Sequence, residues 1–129
     1  MNSEVPEEFW RQLKQAAERV LMLDYDGTLA PFCVRRDEAV PYPGVREVLE
    51  RLAATGRTRL VIVSGRPVDQ VRALLGLQHE VELWGCHGWE RLTADGEHHL
   101  EPLPDRAAQA MEEAGRWAAS QHLGEGLEK

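Results

Sequence analysis

The sequence predicts an α/β fold, a doubly wound, Rossmann-like parallel sheet, and three observations carry that reading. Helical and strand patterns alternate along the chain. Val20–Leu23 and Leu60–Val63 are uninterrupted apolar runs, as expected of short strands buried on both faces of a parallel sheet, with Val81–Trp84 as a shorter third strand. The residues with the most chemistry to offer, Asp24, Asp26, Ser64 and His87, all fall just past strand ends, where doubly wound sheets bind their ligands.

Each element has its own justification. Glu7–Arg19 reads as an amphipathic helix, with Phe9, Leu13, Ala16, Ala17 and Val20 on one stripe. Glu7 and Glu8 stand where a helix N-terminus favours negative charge. Ala30–Pro43, with prolines at 31, 41 and 43, is an irregular segment expected to fold over the first strand end as a flap. Gly44–Ala54 is a second helix with Val45, Val48, Leu49 and Leu52 as its stripe, stopped by Thr55-Gly56. Thr58–Val63 is the second strand, and Pro67 opens a helix through Leu75, closed by Gly76. Arg91–Leu103 turns at Ala94-Asp95-Gly96 and reads as a hairpin. Asp105 caps a last helix to about Gln121, which Gly115 weakens.

At 129 residues the chain is at most one domain, with a modest core. Its 43% hydrophobic and 29% charged residues mark a folded rather than a disordered chain. A net charge of −7 argues against binding nucleic-acid phosphates. No apolar run approaches the ~20 residues that span a bilayer, and Met1–Glu8 carries glutamates without a basic residue, unlike a targeting peptide. A cytoplasmic location with no membrane partner is the expectation. Cys33 and Cys86 lack a metal or redox spacing and fit reduced thiols, and the scattered histidines lack a zinc spacing.

Asp24 and Asp26 are two apart, so on an extended chain they share a face. At ~4 Å and an effective dielectric of ~20 their repulsion is on the order of 4 kcal/mol, so a neutralising cation is expected. Carboxylate oxygens suit a hard ion such as Mg²⁺, which binds through one or two carboxylates plus phosphate oxygens. The competing reading is an ordinary strand exit through an Asp-Gly turn. A calcium loop is excluded, because Leu29 and Arg35 occupy the positions where it needs Gly and Glu. Ser64 either contributes to an anion site at the following helix N-terminus or merely caps that helix.

Leu23-Asp24-Tyr25-Asp26-Gly27-Thr28-Leu29 resembles the first motif of the haloacid dehalogenase superfamily of phosphatases. The tyrosine between the aspartates, Ser64-Gly65-Arg66-Pro67 after the second strand, and Gly85-Cys86-His87-Gly88 after the third are similar to its trehalose-6-phosphate phosphatase branch. The resemblance implies Mg²⁺-dependent hydrolysis of trehalose 6-phosphate to trehalose and phosphate through an aspartyl-phosphate. Asp24 would be the nucleophile. Asp26 would protonate the leaving sugar oxygen and later deprotonate the attacking water, which asks for a pKa nearer neutrality than that of an exposed aspartate. Mg²⁺ would bridge an Asp24 oxygen, the Asp26 backbone carbonyl and a phosphate oxygen. Ser64 would hold a non-bridging phosphate oxygen, and Gly65, Arg66 and His87 would line the substrate pocket. Taken singly, Arg66 also reads as a solvated helix-end charge and His87 as a loop residue bonded to backbone.

The resemblance further implies that residues 1–129 form part of a haloacid dehalogenase-type core, truncated before the cap and the last core motifs. Residues 105–129 would be a helix leading toward the cap, and Leu127-Glu128-Lys129 resembles the start of the cap's sugar-reading Glu-x-Lys element. The superfamily's third-motif lysine and its Gly-Asp-Asp-like acidic cluster have no counterpart in the sequence. Another sugar-phosphate phosphatase of the superfamily, or a non-catalytic half-domain with a binding or regulatory role, are the alternatives. With half a sheet, Val20–Tyr25 is expected at an edge, apolar and free of proline, where it invites self-association.

Overall fold

A computed structural model describes residues 4–121. Strands β1 (Val20–Asp24), β2 (Arg59–Val63), β3 (Glu82–Gly85), β4 (Glu90–Leu92) and β5 (His98–Leu100) form one sheet in that order. The β1–β2 and β2–β3 pairs are parallel, and the β3–β4 and β4–β5 pairs antiparallel. The sheet is therefore the expected parallel half, extended by the hairpin, whose docking on β3 the sequence pattern does not reveal. Helices α1 (Glu7–Gln15), α2 (Val45–Thr55), α3 (Val68–Leu75) and α4 (Asp105–Ser120) complete the fold.

The core forms where α2 and α3 cover the sheet. Leu60 and Ile62 of β2 and Leu83 of β3 meet Leu49, Val68, Val71 and Leu75, and Tyr25 closes the cluster from beyond β1. Ile62, Val68 and Tyr25 have no exposed surface. β2 is buried at three successive positions, Leu60, Val61 and Ile62, as a strand flanked on both sides should be.

β1 departs from the expectation of burial on both faces. Leu21 and Leu23 pack against the core, whereas Val20 and Met22 are 55% and 63% exposed. That alternation belongs to a strand covered on one face. β1 is also the edge of the sheet, as expected.

Helix boundaries shift for identifiable reasons. α1 stops at Gln15 rather than Arg19 because Ala16 turns extended, and Val20 belongs to β1. None of the α1 residues is buried; Phe9 and Trp10 pack edge to face on each other at 5.2 Å. α1, α3 and α4 each start immediately after a proline, Pro6, Pro67 or Pro104, whose ring fixes φ near −55° while ψ remains extended. Pro67 is thus the residue before the helix rather than its first, and Asp105 is the first helical residue rather than the cap. Gly56 ends α2 at φ 64°, as its composition suggested.

Among the described residues no helix is long and apolar enough to cross a membrane. Cys33 and Cys86 are free thiols. His122 and the tail through Leu127-Glu128-Lys129 lie outside the described residues.

Candidate active site

The β1 strand carries its apolar residues up to Asp24 and then turns. Thr28, Leu29 and Ala30 donate their backbone N–H groups to the Tyr25 carbonyl, and Gly27, at φ 80°, donates to Ala30. A Cβ at Gly27 would lie 2.3 Å from the Phe32 ring, so both the backbone and the space require glycine. Tyr25 points inward and donates its hydroxyl to the Ala39 carbonyl at 2.5 Å, which pins the flap over the strand end. Burial pushes its phenol up to about 12, so it stays a donor.

At this turn the two aspartates take different partners. Asp24 is exposed and accepts a 3.3 Å bond from the Thr28 hydroxyl. Asp26 lies past the strand and faces Arg66, whose Nε and Nη2 donate to its two carboxylate oxygens at 2.8 and 2.7 Å. The cation that neutralises Asp26 is a guanidinium. This hydrogen-bonded partner holds the Asp26 carboxyl below the usual aspartate range, opposite to the direction required of a general acid.

Arg66 is the most constrained side chain of the site. Only 4% of it is exposed, so it is not a solvated helix-end charge. Besides Asp26 it donates to the Arg36 carbonyl at 2.7 Å and lies 5.9 Å from the Tyr25 ring centre. The pair therefore ties β1's exit to β2's exit and to the flap. Ser64 is buried, accepts the Arg66 backbone N–H at 3.1 Å on its Oγ, and keeps its own O–H to donate. It does not cap α3.

The third strand end is strained. Between β3 and β4, Cys86 and His87 take positive φ of 48° and 56°, followed by Gly88 at 95°. Non-glycine residues pay about 1–3 kcal/mol each for such backbone. Close approach to the Ser64–Val68 loop holds it there. Cys86 and His87 donate backbone N–H groups to Arg66 and Ser64 carbonyls at 2.9 and 3.3 Å. A Cβ on Gly85 would lie 2.6 Å from the Arg66 carbonyl, and one on Gly65 would lie 2.5 Å from the His87 ring. These two glycines are needed for contact between loops.

Two buried carboxylates escaped the sequence reading. Glu90 accepts the backbone N–H of Val68, the first residue of α3, at 3.0 Å. Glu82, 5% exposed, accepts from Arg59, Arg91 and Trp84 and ties β2, β3 and β4 together. Burial alone would raise Glu82, but these donors outweigh it and leave its carboxyl low. Their only sequence signal is an acid at a strand position, which alternation assigns to solvent.

A cavity of about 1380 Å³ opens beside the loops, with Gly65, Arg66 and His87 on one wall and Trp89, Leu103 and Met111 among the others. Gly65, Arg66 and His87 thus meet in one place. Asp24 and Asp26 lie outside its lining, and Asp26 is joined to it through Arg66.

The residues fit a hard divalent cation to a limited extent. Asp24 presents an exposed carboxylate, while the carboxylate of Asp26 is engaged, leaving its backbone carbonyl as the second oxygen. Among the described residues no group of three or more His, Cys, Asp or Glu side chains is placed to hold a metal. Chemically, the arrangement offers one open carboxylate, a hydroxyl donor, and a guanidinium fork whose shape matches phosphate as well as carboxylate.

A model of the trehalose-phosphatase family matches residues 22–121. The trehalose-phosphate phosphatase of Mycobacterium leprae is 32% identical over 101 residues, covering 77% of this chain and 22% of the relative. The solved Aspergillus fumigatus trehalose-6-phosphate phosphatase aligns at a TM-score of 0.65 and 25% identity, over 95% of this chain and 47% of that one. A haloacid dehalogenase-like hydrolase from Bacillus subtilis aligns at 0.60 and 19% identity, over 81% and 34%, a likeness of fold alone. The chain thus spans about a fifth of that curated relative and about half of the solved fungal enzyme. With the matched region running from β1 through α4, the chain belongs to the trehalose-phosphatase family.

Proposed function

We propose that this chain carries the nucleophile-bearing part of a trehalose-6-phosphate phosphatase, and that the reaction runs through an aspartyl-phosphate on Asp24. The observation that carries the reading is the convergence of three strand ends: Asp24 closing β1 with Asp26 just past it, Ser64–Arg66 after β2 and His87 after β3, the first two linked by the Asp26–Arg66 fork and the third by the Cys86 and His87 N–H bonds to Arg66 and Ser64.

An Asp24 oxygen attacks phosphorus and the bond to the sugar oxygen breaks, splitting one difficult hydrolysis into two steps. The leaving oxygen takes a proton from Asp26. Water then attacks the acyl phosphate, Asp26 accepts its proton, and phosphate departs from a regenerated Asp24. In the described arrangement Asp26 is an ionised acceptor, so it must leave the Arg66 fork before it can carry a proton. A substrate phosphate competing for the same guanidinium supplies the reason for that exchange. Ser64 donates its O–H to a non-bridging oxygen, and Arg66 and His87 orient the ester. Mg²⁺, held by an Asp24 oxygen and the Asp26 backbone carbonyl, would neutralise charge on the phosphate. Free thiols at Cys33 and Cys86 fit a reducing, cytoplasmic setting. The residues 105–129 would lead toward a cap that reads the sugar.

Reductive trapping tests the proposal. After incubation with trehalose 6-phosphate and Mg²⁺, borohydride should convert the phosphorylated residue to homoserine at position 24, and Asp24→Asn should abolish it. Homoserine elsewhere, or none, would refute the assignment. Equal trapping by a panel of other sugar phosphates would favour a broader phosphatase of the superfamily.

A further inference from the structure

Glu90 has more partners than a strand-starting acid needs. Its side chain is 11% exposed and lies where three elements meet. One oxygen, Oε2, accepts the Val68 backbone N–H at 3.0 Å and the Cys86 thiol at 3.4 Å. The other, Oε1, lies 2.8 Å from His98 Nε2 on β5. Val68 is the first residue of α3, Cys86 opens the positive-φ turn that carries His87, and His98 belongs to the hairpin. Gly85, paired with Glu90 across the β3–β4 ladder, approaches the Arg66 carbonyl too closely for any Cβ.

We propose that Glu90 is the positioning residue of this site, an internal carboxylate that occupies the α3 N-terminus and clamps the strained His87 turn against the Ser64–Val68 loop. The proposal rests on reading the converging loops as a phosphatase site, but its physical content can be tested without that reading. A helix N-terminus left open would attract the substrate's phosphate. With Glu90 there, phosphate is directed instead to Ser64, Arg66 and Asp24. The same carboxylate compensates for two non-glycine residues in left-handed backbone.

The titratable groups facing Glu90 are Cys86 and His98. Burial alone would raise the Glu90 carboxyl; the bonds from His98, Val68 and Cys86 outweigh it and leave it below the usual glutamate range. Burial, aided by the neighbouring carboxylate, pushes the Cys86 thiol up.

The test is nuclear magnetic resonance and thiol chemistry on the 129-residue chain. In the parent, the Val68 amide proton should lie downfield and move with a carboxyl titration below the usual glutamate range. In Glu90→Gln, which keeps an acceptor but no charge, the shift should persist, its titration should vanish, and Cys86 should alkylate several-fold faster. In Glu90→Ala the Cys86–Trp89 amides should shift most. A Val68 amide insensitive to acid in the parent, or Cys86 alkylation unchanged in Glu90→Gln, overturns the proposal. If the Val68 signature holds while borohydride traps nothing at Asp24, the phosphatase reading fails and the clamp stands.

Discussion

Asp26→Asn removes one charge from the most buried ion pair at the strand ends. Arg66 is 4% exposed and Asp26 28%, so the guanidinium left behind cannot recruit a full water shell. Deleting one partner of a buried pair costs about 3–5 kcal/mol, and the partial exposure of Asp26 with an amide oxygen still accepting one N–H brings the expectation to about 2–3 kcal/mol. The loss should depend on pH. The Asp26 carboxyl is held low in the fold, so its stabilisation is fully present above the unfolded value of about 3.9 and is lost as pH falls through the lower folded value. Urea denaturation of parent and variant should therefore show a constant gap at and above about pH 5, narrowing below about pH 4. A gap under about 0.5 kcal/mol at pH 7, the size of an ordinary surface substitution, would refute the reasoning, as would a gap that persists undiminished in acid.

The remaining predictions concern what this chain does alone. Multiple-turnover release of phosphate from trehalose 6-phosphate should be weak, because the described residues offer a metal little more than Asp24 and a carbonyl; rapid Mg²⁺-dependent turnover that Asp24→Asn abolishes would contradict this. The chain should associate through β1, whose Val20 and Met22 are exposed at the sheet edge. Sedimentation should report concentration-dependent association that Met22→Lys reduces, and a monomeric parent with slow amide exchange along Leu21–Leu23 would show the edge protected.

Much of the fold was legible because its signals are local. Apolar runs marked β1 and β2, glycines at 56 and 76 marked helix ends, and Ala94-Asp95-Gly96 marked the hairpin turn. The half-exposure of β1 was not legible, because an apolar run looks the same whether one face or two are covered. The site divided in the same way. Asp24, Asp26, Ser64, Gly65, Arg66 and His87 stood at strand ends, and Gly65, Arg66 and His87 do share a cavity wall. The Asp26–Arg66 fork joins residues 40 apart in sequence, and the Glu90–Val68 bond joins residues 22 apart; no local pattern encodes either. That is why neither the ion pair that holds the Asp26 carboxyl low nor the carboxylate at the first N–H of α3 was foreseen.

The central claim is that the three strand ends form one phosphate-binding site. Chemical-shift mapping with trehalose 6-phosphate in the presence of Mg²⁺, against trehalose alone, tests it most directly. The account predicts that the phosphorylated sugar moves the amides of Asp24, Thr28, Ser64, Arg66 and His87 together, and that trehalose leaves Asp24 and Ser64 unmoved. Shifts confined to the outer cavity around Leu103 and Met111, or identical maps for the two sugars, would contradict it.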